Sequence, residues 1–480
     1  MVENLTMLTD FYEITMANGY MENGKADTIA YFDMYFRKVP DGGGYAIMAG
    51  VQQLVDYLKN LSFTPGDIEY LRGKKLFSEK FLDYLKNFKF ECDVWAVEEG
   101  TPVFPNEPLV TVRGPVIQAQ FVETMILLTI NHQSLIATKA NRIVRAANGR
   151  AVMEFGSRRA QGYDGAIYGA RAAYIGGCIG TACTISDKVH KIPALGTMAH
   201  SWVQLFDTEY EAFEAYARTY PDNCTLLIDT YNVLKSGLPN AIRIHKEVLQ
   251  PMGKKLKGIR IDSGDITYLT KKVRAIFDEN DMQDCQICIS NSLDEFIIRD
   301  ILTQGACVDS FGVGERLITS RSEPVFGGVY KLAAVEKDGK IVPKIKLSEN
   351  VGKITTPGFK SLYRLFSKET GKAIADVITV HGEKIDSKKP YELFDPEHTW
   401  KKHIVTDFEV KPLMKKIFSK GKCVYDCPPL DEIKAYCADQ VNTLWDEVKR
   451  FENPHQYYVD LSVKLWKMKQ KLLDRKPEQR

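Results

Sequence analysis

Seven short apolar runs recur between residues 151 and 311, and each ends in a cluster of glycine, hydroxyl or charged residues. In order they are Ala151–Phe155, Ala172–Ile175, Ile192–Leu195, Thr225–Ile228, Gly258–Ile261, Ile287–Ile289 and Val308–Phe311. Helix-like segments separate them. Strands buried on both faces read as continuous apolar runs, and parallel strands need crossover helices between them. The rhythm predicts an α/β fold built on an irregular parallel α/β barrel, or a distorted relative of one. Its chemistry is then expected at the C-terminal ends of the strands. No GxGxxG segment opens a first βαβ unit, which weighs against an open nucleotide-binding sheet.

The flanks have a different texture. Residues 1–20 read as a helix, with Tyr12, Thr15, Met16 and Gly19 at helical spacing after an Asp10 start signal. Residues 28–36, rich in aromatics, read as a strand, and strands are expected near 93–97 and 108–113. Helices are expected around 50–60, 78–88 and 119–147. Residues 335–430 are Lys-rich with short strands and loops. Two helices, roughly 430–451 and 457–473, are divided by Asn453-Pro454. The expected division is an N-terminal α+β module over 1–130, a barrel over 131–335, and a C-terminal extension over 336–480 packed on the other two.

Composition narrows the function. The chain has 480 residues, and 64 basic against 62 acidic side chains leave a formal charge of +2. Such a balance excludes a general nucleic-acid or membrane-surface binder, so anion binding must come from local placement. No run approaches the roughly 20 apolar residues of a membrane span, and the N-terminus lacks the basic and apolar regions of a signal peptide. Ten scattered cysteines suit reduced thiols in the cytoplasm. Cys423, Cys427 and Cys437 are either a zinc site or buried thiols, and the lack of a CxxC pair favours thiols.

Three clusters at run ends carry chemistry. In Glu154-Phe155-Gly156-Ser157-Arg158-Arg159, the two arginines suit phosphate or diphosphate, since a guanidinium donates paired hydrogen bonds; surface salt bridges are the alternative. In Gly196-Thr197-Met198-Ala199-His200, the histidine follows a strand. It is a structural side chain, a general acid–base, or a nucleophile toward a γ-phosphate. In Arg260-Ile261-Asp262-Ser263-Gly264-Asp265, the carboxylates suit Mg²⁺ or ribose hydroxyls, or helix capping, above all for Asp265. Alternation places Arg260 and Asp262 on one side. The Gly312-Val313-Gly314-Glu315-Arg316 loop has free N–H groups for a terminal phosphate. Together they fit a substrate bearing phosphate and diphosphate, such as phosphoribosyl pyrophosphate.

The segments LTDFYEITMANGY (8–20), EFGSRRAQGYDG (154–165), GTMAHSW (196–202), RIDSGD (260–265), FGVGER (311–316) and GGVYKL (327–332) resemble the nicotinate phosphoribosyltransferase family in order and spacing. The resemblance runs from residue 1 to about 370, and more loosely to the end. It implies a homodimer whose active sites are shared, each completed by the neighbour's N-terminal segment. It implies that Tyr12 and Phe155 sandwich the pyridine ring, by offset stacking on an electron-poor heterocycle. It implies that Arg260 and Thr197 bind the nicotinate carboxylate, that Arg158 and Arg159 hold phosphates, and that Gly312 and Gly314 line the phosphate loop. Asp262 would lie near ribose and Mg²⁺. His200 resembles the family's autophosphorylated histidine, so the implied reaction joins nicotinate to phosphoribosyl pyrophosphate, releases pyrophosphate and consumes ATP. Mg²⁺ would neutralise the leaving pyrophosphate. Position 315 departs from the family's frequent Thr. An acid aimed at phosphate is unfavourable, so Glu315 is expected to turn away or to pair with Arg316.

The alternatives are distinguishable. A nicotinamide-using relative would place an Asp after the second barrel strand, whereas Gly176–Thr184 holds no acid, which favours nicotinate. A quinolinate phosphoribosyltransferase would need a larger basic cluster and no ATP. A barrel lyase would need a Schiff-base lysine, for which Lys331 is the candidate. A non-catalytic binding protein on the same barrel would turn over no phosphoribosyl pyrophosphate.

Overall fold

The computed structural model describes residues 4–475. The chain divides into two compact units, one formed by Met1–Leu135 with Val325–Arg480 and the other by Ile136–Pro324. The expected three consecutive segments are thereby corrected. The stretch after residue 335 does not stand apart but shares sheets with the N-terminal module.

The unit Ile136–Pro324 holds the six parallel strands β1 (Ala151–Glu154), β2 (Gly180–Thr181), β3 (Thr225–Leu227), β4 (Gly258–Ile261), β5 (Gln286–Ile289) and β6 (Ser310–Val313). Their order is β2-β1-β6-β5-β4-β3, with every ladder parallel. Five of the seven apolar runs supply a strand. Ala172–Ile175 does not: it ends the helix Tyr163–Ile175, whose last seven residues are all buried. A short apolar run in a fully buried helix looks the same as a buried strand. The strand intended for it is the two-residue β2. Ile192–Leu195 reduces to a single parallel bridge between Ala194 and Thr181. Among the described residues no ladder joins β2 to β3, so the hydrogen bonding forms an open parallel sheet rather than a closed barrel.

Local chemistry sets the helices between the strands. Thr208 forms a capping box with Glu211. Asp265 caps the helix Ile266–Glu279 by accepting from the Tyr268 N–H at 2.7 Å, and Asp294 caps Glu295–Thr303. Unsatisfied N–H groups at helix starts explain the preference for these residues. Asp265 therefore has the structural role weighed for it. Buried Glu295 receives both Lys139 and Arg142 at 2.9 Å, which balances charge in a dry interior.

The other unit is mainly antiparallel. One sheet runs Lys340–Pro343, Val329–Lys337, Ile29–Tyr35, Val110–Pro115, Asp93–Val97, Met414–Ser419 and Lys422–Cys423 from edge to edge. Lys331 sits on the second of these strands, not on the parallel sheet; its Nζ donates to the Tyr330 carbonyl and lies 3.9 Å from Glu123. That placement removes the Schiff-base reading. A four-stranded sheet orders Phe408–Pro412, Lys360–Ser367, Ala373–Val380 and Val459–Leu461. At its centre Arg364 is fully buried and bidentate to Asp376, at 2.7 and 2.6 Å, with Tyr457 donating to the same carboxylate.

Most expected elements of this unit are present, at Phe11–Glu22, Ile29–Tyr35, Val51–Lys59, Glu79–Lys86, Asp93–Val97 and Val110–Pro115. A further helix, Pro65–Gly73, follows a Thr64–Asp67 capping box that the periodicity did not reveal. The expected 119–147 helix begins as Val116–Phe121 and continues as Glu123–Ala146. The penultimate helix ends at Thr443 rather than near 451, and residues 459–461 form a strand before the last helix, Val463–Leu473. Leu444 and Val448 are nonetheless fully buried, so their apolar pattern reports packing without helix. All ten cysteines are free, and among the described residues no group of three or more His, Cys, Asp or Glu side chains could hold a metal. Cys437 is buried and Cys423 and Cys427 are half-buried. No described helix is long and apolar enough to cross a membrane.

The helix carrying Tyr12 is tied down by Glu13, which is buried. Its carboxyl group accepts from Thr9 and, at 2.6 Å, from Thr124. Burial pushes the Glu13 pKa up to about 7, against the partial relief of the two hydroxyls. A carboxyl whose folded-state pKa is raised binds its proton more tightly when folded, so stability falls as pH rises from about 4.3 toward 7. Glu13→Gln is expected to flatten that slope, recovering roughly 2 kcal/mol at pH 8 relative to pH 5. Urea unfolding of both proteins across this range is the check; parallel curves would contradict it.

Candidate active site

The C-terminal ends of the parallel strands gather the polar residues of this unit. The β1 strand delivers Glu154, whose carboxylate is buried. It accepts from Thr181 Oγ1 at 2.5 Å and from the Gly156 N–H, so β1 and β2 end in a shared clasp. Burial raises the Glu154 pKa, while these two hydrogen bonds oppose the shift. Phe155 follows, its N–H bonded to the Val313 carbonyl of β6 at 2.8 Å. Its ring lies against Gly312: a Cβ at position 312 would fall 2.4 and 2.6 Å from two ring carbons. Gly312 is thus required where it stands, because the Phe155 ring occupies the space of a side chain. Arg158 and Arg159 follow in a short 3-10 turn, Ser157–Arg159. Both are exposed, and among the described residues neither has an ion-pair partner, so they are not the surface salt bridges weighed as the alternative.

The β4 strand places Arg260 and Asp262 side by side, with Arg260 Nη2 3.8 Å from Asp262 Oδ1. Arg260 Nη1 donates to Thr197 Oγ1 at 2.9 Å and to the Met198 carbonyl at 3.2 Å. Its Nε donates to Ser290 Oγ at 2.9 Å, and Ser290 donates onward to Asp262 at 2.5 Å. Thr197, Arg260 and Asp262 therefore form one cluster. His200 joins it: its Nδ1 is 3.1 Å from Thr230 Oγ1, and its Nε2 is 4.0 Å from Asp262 Oδ2. The His200 side chain is 40% exposed, so a reactant can reach it.

Three participants had no role assigned from sequence. Asp229 and Thr230 follow β3, and Ser290 follows β5. The Asp229 Oδ2 atom accepts from the Asp262 N–H at 3.0 Å and from Ser263 Oγ at 2.6 Å. Its Oδ1 is buried with no protein partner among the described residues, a costly state for a carboxylate oxygen unless something else meets it. Asp229-Thr230 had stood in the sequence as a polar end to an apolar run, the same signal that marked Asp262. Only adjacency of β3 to β4 shows that the two aspartates meet.

At the end of β6, Gly314 precedes the one-turn helix Glu315–Ile318. Arg316 pairs with Asp294, and Glu315 pairs with Arg321 at 3.2 Å. Of the two outcomes expected for Glu315, turning away or pairing with Arg316, the pair is not formed; Glu315 meets Arg321 instead. Tyr12 belongs to the other unit. It is 44% exposed, and its phenol, hydrogen-bonded to Glu123, is held above its ordinary pKa by burial and by that carboxylate.

Family models cover nearly the whole chain. The nicotinate phosphoribosyltransferase N-terminal domain matches residues 7–131, the nicotinate phosphoribosyltransferase family residues 150–391, and the corresponding C-terminal domain residues 359–469. A nicotinate phosphoribosyltransferase of Bacillus subtilis is 41% identical over 97% of this chain and 95% of its own. One of Mycobacterium tuberculosis is 37% identical over 94% and 90%. The crystal structure of human nicotinic acid phosphoribosyltransferase superposes with a TM-score of 0.86 at 28% identity, covering 97% of this chain and 99% of that one. Matches of this extent, over a cluster whose parts fall on the family's own motifs, have one meaning: the chain belongs to the nicotinate phosphoribosyltransferase family.

Proposed function

We propose that this protein joins nicotinate to phosphoribosyl pyrophosphate, forming nicotinate mononucleotide and pyrophosphate, and that it couples the reaction to ATP hydrolysis through a phosphorylated His200. The observation that carries the reading is the convergence of Thr197, Arg260 and Asp262 in one hydrogen-bonded cluster, with His200 4.0 Å from Asp262. A guanidinium with a free Nη2 edge suits a pyridine carboxylate, and the Phe155 ring offers an apolar face for the heterocycle. In the reaction the pyridine nitrogen forms its bond to the ribose C1′ while the C1′–pyrophosphate bond breaks. Positive charge grows on the sugar, and the Asp262 carboxylate is suited to stabilise it. Arg158 and Arg159, exposed and without ion-pair partners among the described residues, are available for phosphates. So are the backbone N–H groups around Gly314.

The aspartates fit Mg²⁺. Among the described residues Asp229 Oδ1 lacks a partner, and its Oδ2 accepts from the Asp262 N–H at 3.0 Å, so these two would hold the ion. Two carboxylates without a full protein cage suit a cation that keeps waters and substrate phosphates in its shell. When bound, Mg²⁺ would neutralise the leaving pyrophosphate. ATP would transfer its γ-phosphoryl group to a ring nitrogen of His200 with release of ADP, and water would later remove it. We further infer a homodimer in which a neighbour's Tyr12 completes each site; its 44% exposure, beside exposed Leu8, Phe11 and Met16, supports that reading. Ten free cysteines suit the cytoplasm.

Selectivity for the acid over the amide has support in Gly176–Thr184, which holds no acid. The nearby Glu154 carboxylate already has both oxygens occupied, by Gly156 and Thr181.

Incubation with γ-phosphate-labelled ATP and Mg²⁺ is expected to leave an acid-labile, base-stable label on the protein, absent in His200→Ala. Label and ATP-stimulated synthesis both surviving in that variant would refute the role of His200. Comparable turnover of nicotinamide and nicotinate would refute the substrate assignment. Gly312→Ala must displace the Phe155 ring, and a loss of roughly ten-fold or more in kcat/KM for nicotinate is expected. Wild-type kinetics in that variant would show that Phe155 does not bear on the pyridine.

A further inference from the structure

Ser290 follows β5, one strand over from Arg260 and Asp262. In the ladder Cys288 faces Arg260 and Ile289 faces Ile261, and the Ser290 N–H bonds to the Ile261 carbonyl at 3.1 Å. That register sets the Ser290 hydroxyl between a guanidinium and a carboxylate. It accepts from Arg260 Nε at 2.9 Å and donates to Asp262 Oδ1 at 2.5 Å. The direction is forced. Arginine can only donate, an ionised carboxylate can only accept, and a hydroxyl has one proton to give.

The consequence concerns two charges that are close but not in contact. Arg260 Nη2 and Asp262 Oδ1 stand 3.8 Å apart, outside hydrogen-bond distance. With the hydroxyl in place, Nε is satisfied by Ser290, Nη1 by Thr197 and Met198, and Nη2 alone keeps N–H groups without a protein acceptor among the described residues. Without the hydroxyl, Nε and Oδ1 would both lose a partner in a half-buried site. A guanidinium and a carboxylate so placed close into a direct, charge-assisted pair. Arg260 would then be neutralised by its own neighbour.

We propose that Ser290 is a positioning residue that keeps Arg260 and Asp262 from pairing, and so reserves the guanidinium for the carboxylate of the pyridine substrate. The proposal rests on the transferase reading above and deepens it, by assigning acid recognition to a spacer hydroxyl as well as to the arginine. Gly312 belongs to the same arrangement. A Cβ there would come 3.3 Å from Ser290 Cβ as well as meeting the Phe155 ring, so the ring, the spacer and the glycine pack in one layer.

The test compares wild type, Ser290→Ala and Ser290→Thr in steady-state synthesis of nicotinate mononucleotide, together with thermal melts. In Ser290→Ala the KM for nicotinate is expected to rise roughly ten-fold with the melting temperature held within about 2 °C. In Ser290→Thr, which keeps the hydroxyl, it is expected to return to within about three-fold of wild type. Addition of 0.5 M salt should narrow the gap between wild type and Ser290→Ala, because the lost term is an attraction between charges. If Ser290→Ala does not fold, Ser290→Cys, which offers only a weak donor, is read in its place. A KM within two-fold of wild type in the alanine variant overturns the role of Ser290 and leaves the transferase reading standing. An equal rise in the threonine variant overturns it as well, since packing rather than the hydroxyl would then be at work. A wild-type protein that forms no nicotinate mononucleotide overturns both.

Discussion

The site depends on where the five N–H donors of Arg260 go. A guanidinium that is only 15% exposed cannot leave its donors dry without a large cost, so each needs an acceptor. The surrounding segments supply acceptors for Nε and Nη1, from Ser290 at the end of β5 and from Thr197 and the Met198 carbonyl before His200, while Nη2 stands 3.8 Å from Asp262. The result is a cation held in one orientation, with one edge unspent. The same carboxylate that approaches Arg260 also approaches His200, so a single residue, Asp262, links the two side chains. Its own backbone N–H is held by Asp229, which fixes the turn from which it projects.

The overall charge of +2 acquires meaning from this economy. A protein that handles a carboxylate, a phosphate and a diphosphate needs strong positive potential at one place only. Buried cations elsewhere are paired: Lys139 and Arg142 with Glu295, Lys360 with Asp33, Arg364 with Asp376. Arg316 and Arg321 are neutralised by Asp294 and Glu315. Among the described residues the exposed Arg158 and Arg159 have no ion-pair partner, and they stand at the end of β1 beside the Phe155 turn. Unpaired arginines at a strand end are a clearer sign of anion binding than any excess of basic residues along the chain.

The second unit shows a different constraint. Its larger sheet joins strands from residues 29–35, 93–115, 329–343 and 414–423, so edges far apart in sequence must meet before the core is dry. The smaller sheet is held around Arg364 and Asp376, whose buried pair also draws in Tyr457 and the Pro102 carbonyl. Burial and the neighbouring Asp376 carboxylate hold Glu107 well above its usual range. Breaking one member of such a group leaves an uncompensated charge, which is why the group serves to specify a single packing.

By itself the sequence determined the α/β character, the strand-end clusters and the family. Apolar runs ending in polar residues mark buried parallel strands, and the motifs at 154–159, 196–202, 260–265 and 311–316 are local enough to be legible in one dimension. It also placed Arg260 and Asp262 on one side and offered Asp265 as a helix cap, since both follow from spacing within a single element. The tertiary structure decided what depends on adjacency between elements. It turned Ala172–Ile175 into helix, because period alone cannot separate a buried helix from a buried strand. It left the parallel sheet open in its ladders and merged the two ends of the chain into one unit, because strand pairing is long-range. It paired Glu315 with Arg321 rather than its neighbour, and it brought Asp229, Thr230 and Ser290 to the site from strands next to β4. Those three residues carried no signal beyond an ordinary polar strand end; only the order β5-β4-β3 made them partners of Arg260, Asp262 and His200.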